Sequence, residues 1–176
     1  MLSGELYRAS DPTLVAERER AKALCRRYNG ESVEGGRALL RDLLGRDTDA
    51  HVEPPFFCDY GYNIRLGKNF YSNHNLVVLD CAEVSIGDDV KLGPNVVIST
   101  AGHPLDAGER ASGLEFARPI RIGHGVWIGA SVTLVPGVEI GDGTTIGAGS
   151  VVTKSIGANC VAVGNPCRVI RRLAAP

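Results

Sequence analysis

Along the second half of the chain an aliphatic residue returns at every sixth position. From Ile122 the units read IGHGVW, IGASVT, LVPGVE, IGDGTT, IGAGSV and VTKSIG, with glycine second in four of the six. The same phase runs from Ile86 as IGDDVK, LGPNVV and ISTAGH, and Ile86 stands 36 positions before Ile122, a whole number of units. Such a fixed period is the mark of a solenoid. Each unit predicts a short strand and a sharp turn. The aliphatic residue points inward, and the small residue four places on (Val126, Val132, Val138, Thr144, Ser150) fills a crowded corner. Gly, Asn or Asp beside it accepts the positive φ that the turn needs. Three units close one triangular coil of 18 residues, and stacked coils pair their strands in parallel at about 4.8 Å. The period leaves the hand of the coil open, and the general crossover preference would make it right-handed.

A different pattern precedes the repeat. Asp11 caps a predicted helix with Pro12 in its first turn, and Leu14, Ala21, Leu24, Cys25 and Tyr28 follow at helical spacing up to a stop at Gly30. A second helix is predicted over roughly 34–44. Residues 1–50 therefore read as a helical cap over one open sheet edge, and 51–172 as the repeat domain. Within 51–85 the repeat is degraded: LGKNFY fits, then the phase slips by two before Ile86.

The rhythm also breaks at PLDAGERASGLEFARP, which lacks the inward anchors and should be extruded as a loop at about 103–118. Solenoid loops gather on a functional face, because the wall is committed to stacking. His103 stands where the chain leaves the wall, its backbone fixed by Pro104. A firm wall with a mobile flap would hold one imidazole over a substrate.

Composition narrows the partners. With 19 basic and 20 acidic residues and a net charge of -1, neither nucleic acid nor an acidic membrane is an expected partner. The N-terminal MLSGELYRASDP has no apolar stretch of a secretory signal, and no apolar run is long enough to span a membrane, so a cytoplasmic location is expected. Cys25, Cys58, Cys81, Cys160 and Cys167 form no CxxC pair and read as free thiols.

In order along nearly the whole chain, GELYRASDP, VEPPFFCDYGYNIRLGKNFYSN, VVLD, TAGHP, VWIGASV, PGV, IGAGSVVTK and GNPCRVI resemble the maltose and galactoside O-acetyltransferases. CDYGYN and GELYRASD lean to the maltose side. The resemblance implies a mainly β fold, a left-handed parallel β-helix with an N-terminal helical cap and an extruded loop. It also implies a homotrimer with its sites between subunits, acetyl-CoA as co-substrate, no metal, and transfer of acetyl to a maltose- or glucose-like hydroxyl. His103 matches the catalytic base. Asn73 and Asp59 match acceptor contacts, with Tyr71 beside Asp59 as a flat face for a sugar ring, and Glu115 as a loop residue that could orient the site. Cys81 stands where the galactoside enzymes carry an acid, which argues against galactoside specificity. Trp127, Ala130 and Ala148 match a pantetheine groove and Gly93 a backbone contact to the coenzyme. Thr153, Lys154, Arg168 and Arg171 match the region that meets its nucleotide and phosphates, where Lys and Arg suit phosphate.

Other readings remain at this stage. The acceptor could be a serine, an antibiotic or a Nod-factor-like saccharide, since fold does not fix it. A γ-carbonic-anhydrase-like zinc enzyme would need convergent histidines, but His74, His103 and His124 are 29 and 21 positions apart, far from any stacking interval. A non-catalytic scaffold is the third possibility, and His103, Asn73 and the basic C-terminus argue against it.

Overall fold

The computed structural model describes residues 1–174 and forms a three-faced prism of stacked parallel coils, a β-helix. Face 1 stacks strands His51–Val52, Tyr71–Ser72, Lys91–Leu92, Trp127–Ile128, Thr145–Ile146 and Cys160–Val163, closed by the antiparallel Arg168–Arg172. Face 2 holds Phe56–Cys58, Leu76–Leu79, Val97–Ser99, Thr133–Leu134 and Val151–Val152; face 3 holds Ile64–Leu66, Val84–Ile86, Ile120–Ile122 and Glu139–Ile140. The predicted anchors point inward, with Ile98, Ile128, Leu134, Ile146 and Val152 fully buried. The small positions Val132, Thr144 and Ser150 are sealed as well.

Register explains where the repeat departs from 18. Ile122, Ile128 and Leu134 pair with Ile140, Ile146 and Val152, the expected interval. Leu66, Ser72 and Val78 pair with Ile86, Leu92 and Ile98, twenty positions on, so the early coils carry two extra residues. These widen the corner between faces 2 and 3 at Asp59–Asn63 and Asp80–Glu83, and the widened corner becomes the floor of the site. The last coil is short: Ile156, not residue 158, bridges Ile140, so VTKSIG breaks the predicted phase at its second half.

The turns follow the chemistry expected of them. Asn69, Asp89, Gly125, Gly143 and Asn159 occupy equivalent places on one corner, all at positive φ; Asn75, Asn95, Ser131 and Gly149 do so on another. Short polar side chains tolerate that region and can bond across coils. Asn69 donates to Asp89 and Asn75 to Asn95, each at 3.1 Å.

Helix α1 (Pro12–Tyr28) starts at Asp11, whose carboxylate accepts from Thr13 N at 2.9 Å. It buries Ala21, Leu24, Cys25 and Tyr28 and lies against Phe56–Cys58 of the first coil. Helix α2 (Arg37–Leu44) begins later than residue 34. Gly36 precedes it because a Cβ there would sit 2.7 Å from the Tyr28 ring, so the chain must pass the helix before turning. The extruded segment is more ordered than a flap. Ala101–Gly102 pairs with Phe116–Ala117, a short helix α3 (Ala107–Ala111) sits at the tip, and Leu114–Glu115 pairs with Tyr7–Arg8. The N-terminal residues thus leave the cap to brace the loop, which the helical-cap reading of residues 1–50 did not foresee. Among the described residues no helix is long and apolar enough to cross a membrane.

Candidate active site

The loop leaves the prism at the widened corner between faces 2 and 3, and there a cleft of about 300 Å³ opens. Tyr7, Ala9, Arg18, Asp59, Cys81, Ala101, His103 and Glu115 line it. His103 is solvent-exposed and Pro104 behind it is buried. Arg110 donates to the carbonyls of Pro104 and Leu105, both at 3.1 Å, which pins the chain just past the imidazole.

The cleft walls are polar and mutually bonded. The Tyr7 hydroxyl donates to Glu115 Oε2 at 3.1 Å, and the Cys81 thiol to Asp59 Oδ2 at 3.4 Å. Arg18 reaches from α1 to the Tyr60 hydroxyl (2.8 Å) and the Ala9 carbonyl (2.6 Å), tying helix, N-terminal strand and first coil together. Beneath them Asp80 is fully buried and accepts from the backbone N–H groups of Asp59, Tyr60 and Gly61 at 3.1, 2.8 and 2.8 Å. That carboxylate shapes the turn that presents Asp59.

Burial sets the protonation of the cleft. It pushes the Cys81 thiol up to about 12, and it raises Tyr7, reinforced by Cys81. Both therefore remain donors at neutral pH, and Cys81 is no ready nucleophile. Burial also raises Asp59, opposed by the Cys81 thiol and by Arg18. Asp80 rises to about 6 by burial, against backbone N–H groups, those of Tyr60 and Gly61 among them, that favour its anion.

Within one chain the sequence-predicted residues fall into two groups. His103, Asp59 and Glu115 meet in the cleft. Asn73 follows a face 1 strand and so lies on the corner between faces 1 and 2, where its side chain accepts from His74 N at 2.7 Å. Tyr71 is not beside Asp59: it lies on face 1 and stacks on His51 with ring centroids 5.3 Å apart. Trp127, on face 1, is 58% exposed. Gly93, Ala130 and Ala148 share the corner with Asn73, and stacking requires a glycine at 93, since a Cβ there would meet Ala130 N at 2.7 Å. Thr153 and Lys154 lie exposed at the corner of His103 but coils away, and Arg168 and Arg171 on the antiparallel strand that closes face 1. His74, His103 and His124 leave the prism at three different corners. Among the described residues no group of three or more His, Cys, Asp or Glu is placed to hold a metal ion. A roomier hollow of about 700 Å³ on face 3, beside Gly87, Gly123 and Gly141, has His124 at its edge, but that ring already accepts from Asp88 N at 3.0 Å.

Residues 1–47 match the family described as the maltose acetyltransferase hexapeptide capping motif, and residues 119–154 the bacterial transferase hexapeptide family of six repeats. A maltose O-acetyltransferase structure from Clostridium difficile is 49% identical with a TM-score of 0.96, covering 99% of this chain and 95% of that one. The chain belongs to the hexapeptide-repeat acetyltransferases of the maltose and galactoside O-acetyltransferase group. It is an acyltransferase. Nodulation protein L of Rhizobium meliloti is 47% identical over 96% of this chain and 94% of its own. A galactoside acetyltransferase solved in complex with coenzyme A is 41% identical with a TM-score of 0.89, covering 98% of this chain and 88% of that one. Sequence reasoning gave no role to Tyr7, Arg18 or Asp80, although the GELYRASDP and VVLD segments that hold Tyr7 and Asp80 were signals.

Proposed function

We propose that the protein transfers acetyl from acetyl-CoA to a hydroxyl of a maltose- or glucose-like sugar, with His103 as general base. The observation that carries this reading is the meeting of His103 with the bonded polar wall of Asp59, Glu115, Tyr7 and Cys81 in one small cleft. Carboxylates and hydroxyls in that density suit a polyol. The imidazole takes the sugar hydroxyl proton as its oxygen bonds to the thioester carbonyl carbon. A backbone N–H of a neighbouring coil steadies the oxyanion. The tetrahedral adduct then collapses, the C–S bond breaks, and the departing thiolate recovers the proton from the imidazolium. No acyl-enzyme is needed. The acceptor identity is tested with a panel of sugars and related alcohols monitored by free-CoA release. Release no faster than background hydrolysis with every acceptor would end the sugar assignment.

We further propose a homotrimer. Face 2 presents the partly exposed column Val77, Val97, Thr133 and Val151, whereas face 3 presents Arg65, Arg121 and Glu139. The Asn73 corner and the His103 corner flank that apolar face on opposite sides. Packing copies against face 2 would therefore set the Asn73, Trp127, Ala130 and Ala148 side of one chain against the His103 cleft of the next. In that arrangement coenzyme runs beside the small residues of the Asn73 corner, and Lys154 and Arg168 meet its phosphates.

Two outcomes follow. Neutralising Lys154 and Arg168 together should raise the KM for acetyl-CoA by more than that for acetyl-pantetheine, which lacks the nucleotide phosphates; equal rises would remove them from the phosphate site. Tyr7→Phe removes one bond to a carboxylate partner and should raise the acceptor KM by about tenfold or more, leaving the acetyl-CoA KM unchanged. A parallel rise in both constants would show that Tyr7 acts through the fold instead.

A further inference from the structure

Behind the acceptor cleft, α1 meets the first coil through two thiols. Cys25 and Cys58 are buried with their sulfurs 3.8 Å apart, and both line a pocket of about 290 Å³ together with Lys22, Arg26, Phe57, Asp59 and Leu79. Two features distinguish this pair from ordinary core cysteines. The sulfurs face each other across two elements, from positions 33 apart in the chain, and the pocket that they line also carries Lys22 and Arg26 beside Asp59. The contact with Cys58 draws the Cys25 thiol below its usual range, with Arg26 helping, while Cys58 is pushed up. Two thiols in contact, one made more acidic than the other, are an arrangement that oxidises as a pair.

We propose that Cys25 and Cys58 are a redox modification site, oxidised by hydrogen peroxide to a disulfide that staples α1 to the first coil. The Cys25 thiolate attacks one peroxide oxygen, giving a sulfenic acid and, after proton uptake, water. The Cys58 sulfur then displaces that oxygen as a second water, forming the S–S bond. Two thiols lose two electrons in all, and one peroxide is reduced to two waters. Closing the sulfurs from 3.8 Å to the bonded distance of about 2 Å ties the helix covalently to the strand. Both carry acceptor-cleft residues: Asp59 follows Cys58, and Arg18 lies two helical turns before Cys25 on the same face. Oxidation therefore reshapes the acceptor wall and leaves the coenzyme side alone. That second consequence rests on the acceptor assignment made above; the disulfide itself does not.

The test treats the full-length protein with a small excess of hydrogen peroxide and counts thiols after denaturation, with tryptic peptides mapped without reductant. The protein should lose two of its five thiols, recover them with dithiothreitol, and yield residues 23–26 linked to 47–65. Its Tm should rise by several degrees, since the cross-link restricts the unfolded chain. Cys25→Ser and Cys58→Ala should each abolish the linked peptide. Retention of all five thiols under conditions that oxidise free glutathione, or linkage between any other pair, overturns the proposal. Because the wild-type map stands alone, a variant that folds poorly does not weaken it. A several-fold change in acceptor KM on oxidation, with the acetyl-CoA KM constant, extends the effect to the cleft. A disulfide formed without any kinetic change removes the coupling to the acceptor.

Discussion

Replacing His103 with alanine is expected to lower kcat by about 10²-fold or more, the usual loss for a general base, while the protein stays folded. The imidazole is exposed at a loop exit and contributes nothing to coil stacking. The fixing elements are the buried Pro104 and the bonds of Arg110 to the carbonyls that follow. The KM for acetyl-CoA should barely move, because in the proposed mechanism the lost group serves the proton in transit and not the bound thioester. Unchanged circular dichroism with a large fall in kcat is the expected pairing. Turnover near the wild-type value would show that another group takes the proton.

Asp80→Ala should be the most damaging single change at the site's foundation. It leaves the N–H groups of Asp59, Tyr60 and Gly61 without their acceptor in a buried corner. At about 1–3 kcal/mol for each orphaned group, the fold loses roughly 3 kcal/mol or more, a Tm about 10 °C lower for a chain of this size. Asp80→Asn separates charge from shape. Burial holds the folded-state carboxyl at about 6, above the ordinary 3.8, so the folded protein binds this proton more tightly than the unfolded chain. The resulting stability is complete below pH 4 and is lost as pH rises through about 6. Wild type should therefore exceed Asp80→Asn in Tm by the largest margin near pH 4, the margin shrinking up to pH 6 and constant above. A margin that grows with pH would mean that the three N–H groups outweigh burial and hold the carboxylate ionised.

The coil was legible because its cause is local. Each inward residue and each positive-φ turn, from Asn69 to Gly149, is specified within six positions of its neighbours. The parallel β-helix and its irregular early coils could be read from that spacing. The cleft could not, because its bonds join distant segments. Tyr7 meets Glu115 across 108 positions and Arg18 meets Tyr60 across 42. The strand Tyr7–Arg8 exists only because the loop offers Leu114–Glu115 an edge to pair with, and two residues carry no such signal of their own. Tyr71 shows the converse: adjacency along a motif placed it beside the acceptor, while the winding of the coil puts it on another face.

The most direct test of acetyl transfer is stoichiometry. With acetyl-CoA and a saturating maltose or glucose acceptor, free CoA and sugar acetyl ester should appear in equal amounts, and the rates of both should fall together by about 10²-fold or more in His103→Ala. CoA release without sugar ester, or ester formation undiminished in His103→Ala, would contradict the account.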